Sequence, residues 1–297
     1  MKVVAITVNW NQAELTAIAV DSVLECVDHV IVVDNSSSPA ERESLSSLEQ
    51  LPNVEVLWLS ENQRYAGGVN RGFERAIGLR PDAVLVMNND ARAEPRAVER
   101  LVDRLEQNPG IGIVMPAVVD IEGETILHTA CTLNKRSGRV KWIDYGRSIA
   151  EIDPTPRPTD WASGEAFLVR TAVLREHGGF DERYEAYLED VDFSVRVGRD
   201  WRLEVVPAAV FRHVLGASGD AARGIFLRTR NQTLLLRRTL GRGRAASSLL
   251  GGRSALTMTA RLVRHGRLAG ALAALAGWVA ASGRLLARTE VHRRAGA

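Results

Sequence analysis

Ala83-Val-Leu-Val-Met87 is an uninterrupted apolar run that breaks abruptly into Asn88-Asn89-Asp90. Consecutive apolar residues rich in valine read as a strand buried on both faces, as in a parallel sheet. In open α/β sheets ligands bind just outside the carboxyl ends of the strands, which puts Asp90 where chemistry is usually done. A polar turn closing an ordinary strand would give the same residues. The weight therefore falls on whether the chain repeats the pattern.

It does. Residues 3–8 form an apolar run ending in Asn9-Trp10-Asn11, and residues 29–33 form another ending in Asp34-Asn35-Ser36. A third strand is expected over 54–59, and helical spacing separates the strands at 14–27, 39–50, 69–79 and 95–107. This βαβαβαβ alternation predicts an α/β fold with a doubly wound, mainly parallel sheet flanked by helices. Residues 111–119 add a strand. From 120 to 159 the pattern weakens into a hairpin and a proline-rich loop. Strands over 161–169, 201–206 and 210–213 close the sheet, with a helix at 191–197 after an acidic loop.

The 297 residues suffice to bury a core. The two cysteines, Cys26 and Cys131, stand in no CxxC or Cys/His cluster, which argues against a disulfide framework and suits a reducing cytoplasm. The N-terminus enters a strand at once, without signal-peptide organisation. Charge is segregated. Residues 1–220 carry 23 Lys+Arg against 35 Asp+Glu, whereas residues 221–297 carry 15 Arg against Glu290 alone. A block this basic is an interaction surface, for anionic lipid, a phosphate-bearing substrate or nucleic acid. The tail reads as helical, and Leu268 to Ala281 contains no charge. Fourteen residues are too few to span a bilayer, which takes about 20. They fit an interfacial helix, or one packed on the domain or on a second subunit. With Phe226 and Trp278 as its only aromatics, the tail gives little support for stacking on nucleic-acid bases.

Several residues can be weighed singly. Asp34 and Asn35, at a strand end, can meet a nucleotide, or can simply form a turn. The stretch from Asn62 through Gly67-Gly68 to Asn70 reads as a glycine-bearing loop running into a helix, whose N–H groups can hold phosphate. It matches neither GxGxxG nor the P-loop. A single carboxylate such as Asp90 can hold Mg²⁺ when a substrate diphosphate completes the shell, and His213, at another strand end, offers an imidazole better suited to Mn²⁺. Glu189-Asp190 supplies acids at a helix start, which are either ordinary dipole partners or a general base.

Taken in order, Thr7-Val-Asn-Trp-Asn11, Val33-Asp-Asn-Ser36, Asn62 to Asn70, Asn88-Asn-Asp90, Ser163-Gly164, Gly178-Gly-Phe-Asp181, Glu189-Asp190 and His213 resemble the family 2 glycosyltransferases of GT-A fold, in particular the rhamnosyltransferase-like branch. The resemblance implies a catalytic domain over 1–235 and a basic helical extension over 236–297. It implies transfer of a sugar, rhamnose among the candidates, from a dTDP or UDP donor to a hydroxyl on a saccharide, lipid-linked or small-molecule acceptor, with inversion. Carried over, Asp190 is the base, and Asp90 and His213 hold Mg²⁺ or Mn²⁺. Asn9, Asp34, Asn35, Gly67, Asn70, Asn88 and Asn89 face the donor. Ser163, Gly164, Glu165 and Glu189 face the acceptor. Asn88 departs from the first acid of the Asp-x-Asp pattern, which implies weak metal affinity without nucleotide. Peripheral contact with the inner face of the cell membrane, or a homodimer through the C-terminal helices, fits this reading, and nucleic acid does not. A polyprenyl-phosphate sugar synthase and a non-enzymatic nucleotide- or nucleic-acid-binding module are the alternatives.

Overall fold

The structure, a computed structural model, describes residues 1–214 and 221–294, with side chains to residue 283. Its first strands are β1 (Val3–Asn9), β2 (His29–Asp34), β3 (Val54–Trp58) and β4 (Ala83–Met87), and they run parallel in the order β3-β2-β1-β4. Helices α1 (Ala13–Asp21), α2 (Pro39–Ser46) and α3 (Arg64–Gly78) connect them. A short β5 (Ala91–Ala93), α4 (Ala97–Gln107) and β6 (Ile111–Val119) follow. All residues of β1, β4 and β6 are buried. Each fully buried Val, Leu or Ile there contributes roughly 1.5–3 kcal/mol.

The weakly patterned region holds β7 (Ile126–His128), which pairs with β6, the hairpin β8 (Cys131–Asn134) and β9 (Arg139–Trp142), and β10 (Arg157–Pro158). Then β11 (Ala166–Arg170) inserts antiparallel between β4 and β6. This insertion places the site. Antiparallel register sets Ala166 opposite Met87, so the residues before β11 meet the residues after β4, and the Asn88 N–H donates to the Glu165 carbonyl at 3.0 Å. Helices α5 (Thr171–His177) and α6 (Glu189–Val197) lead to β12 (Arg202–His213), parallel to β6.

Three expectations shift. The strand expected over 161–169 begins at Ala166, leaving Ser163-Gly164-Glu165 as irregular backbone. The two closing strands are one, β12, with a register break between Val206 and Val210. The loop expected over 62–68 is instead the start of α3 from Arg64, with Gly67 and Gly68 inside it. A Cβ on Gly68 would lie 2.9 Å from Val8 Cγ1, and one on Gly72 2.5 Å from Ile6 Cγ2. These glycines let the helix press onto β1. Asn35 fixes the helix start by accepting from Gln63 N–H (2.8 Å) and donating to the Arg64 carbonyl (2.9 Å).

The chain divides into two compact units. The first comprises Met1–Thr132, Lys141–Glu185 and the chain from Glu189 to the end of β12. The second comprises Leu133–Val140, Ala186–Leu188 and the helices α7 (Ala221–Arg238), α8 (Arg244–Arg264) and α9 (Leu268–Arg294). The boundary expected at 235/236 falls inside α7, which belongs with α8 and α9. Within this unit Asn231 Nδ2 donates to the carbonyls of Ala186 (2.8 Å) and Tyr187 (2.7 Å), clasping a turn in which Tyr187 and Leu188 hold positive φ. Among the described residues no helix is long and apolar enough to cross a membrane.

Candidate active site

Strand ends and the β4–β11 register bring eight of the expected residues together. Asp90, reached after the polar turn that closes β4, places Oδ1 3.1 Å from Nε2 of His213, the last residue of β12. Asn88 Nδ2 lies 3.3 Å from the same nitrogen. The opposite ring nitrogen, His213 Nδ1, is buried without a hydrogen-bond partner and stands 3.9 Å from Glu165 Oε1. Burial works against a charge on His213, but the Asp90 hydrogen bond and the charges of Glu165 and Asp90 outweigh it and raise its pKa.

Glu165 is the hub. Its Oε2 lies 2.5 Å from His128 Nε2 and accepts from Ser163 Oγ at 3.3 Å. Burial alone would favour its neutral form, yet His128, His213 and Ser163 hold it at about 2. Next to it, Gly164 donates its N–H to Asp190 Oδ2 at 2.9 Å, and its carbonyl accepts from Tyr65 Oη at 2.9 Å. Asp190 Oδ1 accepts from Val191 N–H at 2.8 Å. Burial pushes Asp190 up to about 6; the two backbone donors offset this only in part, and the Glu165 charge adds to it. Glu189, beside it at the start of α6, is raised well above the usual carboxylate range by burial and by the Asp190 charge. It is 4% exposed, and its Oε2 has no partner. The Tyr65 hydroxyl is pushed up by burial and by Glu189, Asp190, Asp90 and Glu165, which places all four carboxyls within electrostatic reach of one ring.

The remaining expected residues serve the fold around this cluster. Asn9 is fully buried. Its Nδ2 donates to Asp34 Oδ1 (3.2 Å) and Ser37 Oγ (3.0 Å), and its Oδ1 accepts from Thr16 Oγ1 (2.8 Å) and Gln12 N–H (3.3 Å). Two donors and two acceptors are all an amide side chain has, so Asn9 keeps nothing for a ligand. Asp34 is likewise fully buried, with Oδ2 accepting from Arg42 Nε (2.9 Å) and Ser37 N–H (3.2 Å). Asn89 donates to Gln12 Oε1 (3.2 Å) and Thr16 Oγ1 (3.1 Å), tying the turn after β4 to this network. Asn70 clasps Phe180, accepting from its N–H (2.8 Å) and donating to its carbonyl (3.0 Å). Gly67 is buried in α3, where a Cβ would come 2.8 Å from that of Gln63. In this arrangement Asn9, Asn35 and Asn70 hydrogen-bond within the fold and Gly67 is packed inside α3. Ser163, Gly164, Glu165 and Glu189, expected to face the acceptor, are committed to internal partners or buried.

Asp90 and His213 form a largely buried oxygen and nitrogen donor pair. Among the described residues no group of three or more His, Cys, Asp or Glu is arranged to hold a metal ion. Oxygens from another molecule, such as a diphosphate, would complete the shell of a divalent cation held by this pair.

A profile of glycosyl transferase family 2 matches residues 4–178, which takes in the whole parallel half of the sheet, the β4 turn and the Ser163–Glu165 segment. The chain belongs to glycosyl transferase family 2. An N-acetylglucosaminyl-diphospho-decaprenol L-rhamnosyltransferase of Mycobacterium tuberculosis (strain H37Rv) is 30% identical over 205 residues. That match covers 62% of this chain and 66% of the relative, just under two thirds of its length. The low-salt glycan biosynthesis hexosyltransferase Agl10 of Haloferax volcanii is 24% identical over 216 residues, covering 70% of this chain and 67% of its own. Among solved structures, GalNAc-T7 with UDP, GalNAc and Mn²⁺ superposes with a TM-score of 0.62 at 14% identity, over 77% of this chain and 47% of its own. The mannosyltransferase PcManGT from Pyrobaculum calidifontis, in complex with GDP-Man and Mn²⁺, gives 0.57 at 18% identity, over 98% and 79%. These structures share the fold of this family 2 member.

His128, Tyr65, Thr16 and Arg42 join the network although the sequence did not single them out. Only His128 left a trace, a lone histidine inside the apolar run Ile126-Leu-His128.

Proposed function

We propose that the chain transfers a hexosyl group, with rhamnose from dTDP-rhamnose as the first candidate, from a nucleoside diphosphate to an acceptor hydroxyl with inversion. The observation that carries this reading is Asp190, a carboxyl raised to about 6 and held by the Gly164 N–H, one residue from the glutamate that faces His213. A base that titrates near the working pH combines basicity with the correct ionisation. In the reaction Asp190 takes the acceptor's proton, while Asp90 and His213 would hold Mg²⁺ or Mn²⁺. The cation supplies charge stabilisation to the leaving diphosphate. Asn88, on the same imidazole edge, turns its amide to the donor. The base and ribose lie at the carboxyl edges of β1 and β2, where Trp10, 55% exposed, presents an aromatic face. The relative's acceptor, a decaprenol-linked N-acetylglucosaminyl diphosphate by its name, makes a lipid-linked saccharide the first acceptor to try.

The test is release of nucleoside diphosphate and mass-spectrometric detection of product, with dTDP- and UDP-sugars, Mn²⁺, and a panel of polyprenyl-linked saccharides, free saccharides and polyprenyl phosphate. Product on a saccharide hydroxyl that depends on Asp190 is expected. Product only on polyprenyl phosphate would make the chain a lipid-phosphate sugar synthase instead.

The C-terminal helices support peripheral contact with an anionic membrane surface. Leu249, Leu256 and Val263 recur every seven residues on α8, and Leu268, Leu272 and Val279 follow helical spacing on α9; all six are exposed. Arg253, Arg261, Arg264 and Arg267 are exposed beside them. Aliphatic stripes flanked by arginine are what an interfacial helix presents to anionic headgroups. Flotation with phosphatidylglycerol vesicles should fail for Leu249→Glu/Leu256→Glu. If flotation is unaffected, or light scattering shows a dimer that these changes dissociate, a second copy of the chain is the partner.

A further inference from the structure

His128 is 1% exposed on β7 and places Nε2 2.5 Å from Glu165 Oε2. Replacing a buried polar pair of this kind by apolar side chains is often neutral or stabilising, so holding β7 to the sheet does not account for it. The pair is one end of a continuous line. Ser163 Oγ adds a second hydrogen bond to Oε2, at 3.3 Å, so that the other oxygen, Oε1, is left facing His213 Nδ1 at 3.9 Å. Across the same ring, His213 Nε2 is 3.1 Å from Asp90 Oδ1. His213 Nδ1 is buried and without a hydrogen-bond partner.

A histidine that binds a metal through Nε2 carries its proton on Nδ1, and such ligands almost always donate that N–H to a carboxylate, a carbonyl or water. Glu165 Oε1 is the carboxylate oxygen placed to receive it, about 1 Å beyond hydrogen-bond length. We infer that His128 and Ser163 are positioning residues for Glu165, which accepts the Nδ1–H of His213 and so fixes the imidazole with Nε2 turned to a divalent cation shared with Asp90. The inference rests on the metal reading proposed above. It gives Glu165 a task that its hydrogen bonds support, in place of contact with the acceptor. The line runs through four elements, from β7 through the segment before β11 and the end of β12 to the turn after β4, so the orientation of the ligand is set by the sheet itself.

The experiment measures the Kd for Mn²⁺ in the presence of UDP by electron paramagnetic resonance, together with UDP affinity in metal-free buffer. His128→Leu and Glu165→Met should each weaken Mn²⁺ binding about tenfold, the lower end of what outer ligand partners contribute. The double variant should be no weaker than Glu165→Met alone, since both changes cut one line. His128→Gln, which restores an N–H donor, should recover much of the loss, and metal-free UDP affinity should not move. Should His128→Leu fail to fold, Glu165→Gln keeps the shape and weakens the acceptor, and carries the same expectation. Mn²⁺ affinity within about twofold of the parent in the Glu165 variants, with Asp90→Ala still abolishing it, overturns the inference and leaves the metal reading standing. Mn²⁺ affinity unchanged in Asp90→Ala overturns both.

Discussion

Gly164 donates its backbone N–H to Asp190 Oδ2 at 2.9 Å, and the donor cannot be lost by changing a side chain. Buried and held in this way, Asp190 titrates near 6 rather than near 4. Only its ionised form can accept a proton. We therefore expect kcat/KM to rise about tenfold per pH unit below 6 and to level off above it, because kcat/KM reports the free enzyme. A pH–rate profile flat from 5 to 8 would remove Asp190 as the base.

The same shift has a stability cost of definite sign. Because the folded pKa of Asp190 lies above its ordinary value, the folded state binds more protons than the unfolded state between about pH 4 and 6, and stability falls as pH rises through that window. Asp190→Asn removes the effect. The variant should lose turnover yet melt higher than the parent at pH 7.5, by a few degrees at about 2–4 °C per kcal/mol. The difference should close below pH 4. Differential scanning calorimetry at both pH values decides it.

Gly68→Ala and Gly72→Ala test what the glycines of α3 are for. Each Cβ would enter space held by Val8 or Ile6, at 2.9 and 2.5 Å. Overpacking of this kind costs about 1–3 kcal/mol. Urea denaturation should show that loss for both, larger at Gly72, whereas Gly78→Ala, whose Cβ meets only the tip of Arg75, should be neutral or stabilising.

Much of this was legible in the chain. Strands β1, β2, β4 and β6 are largely apolar runs, and burial on both faces leaves that mark in a sequence. Asp90, Asp190 and His213 stand out in the sequence because each follows or ends such a run, or opens a helix. Contacts made across long sequence separations leave no such mark. Nothing near Asn9 announces that Thr16, Gln12, Ser37 and Asp34 exhaust its amide. Nothing near Gly67 and Gly68 distinguishes a phosphate loop from a helix seated on β1, because both need residues without a Cβ. The Ser163–Glu165 segment reads as strand because its neighbours are apolar, yet its partners Asp190 and His128 lie outside the ladder.

Asp90→Ala should weaken Mn²⁺-dependent binding of UDP or dTDP and leave the metal-free affinity for nucleotide near its parent value. Isothermal titration with and without Mn²⁺ separates the two. An unchanged Mn²⁺ dependence would move the cation elsewhere.

The antiparallel entry of β11 beside β4 also sets the order in which the molecule can be assembled. Met87 and Ala166 must close a loop of roughly 80 residues before Asn88 can donate to Glu165, and such closure is slow because its entropy is lost before any contact is gained. A growing chain therefore has β1 to β4 long before it has the residues of the candidate site. The Asn88 amide marks the moment: its hydrogen exchange reports on the late, long-range closure, while the amides between β1 and β2 report on the early half of the sheet.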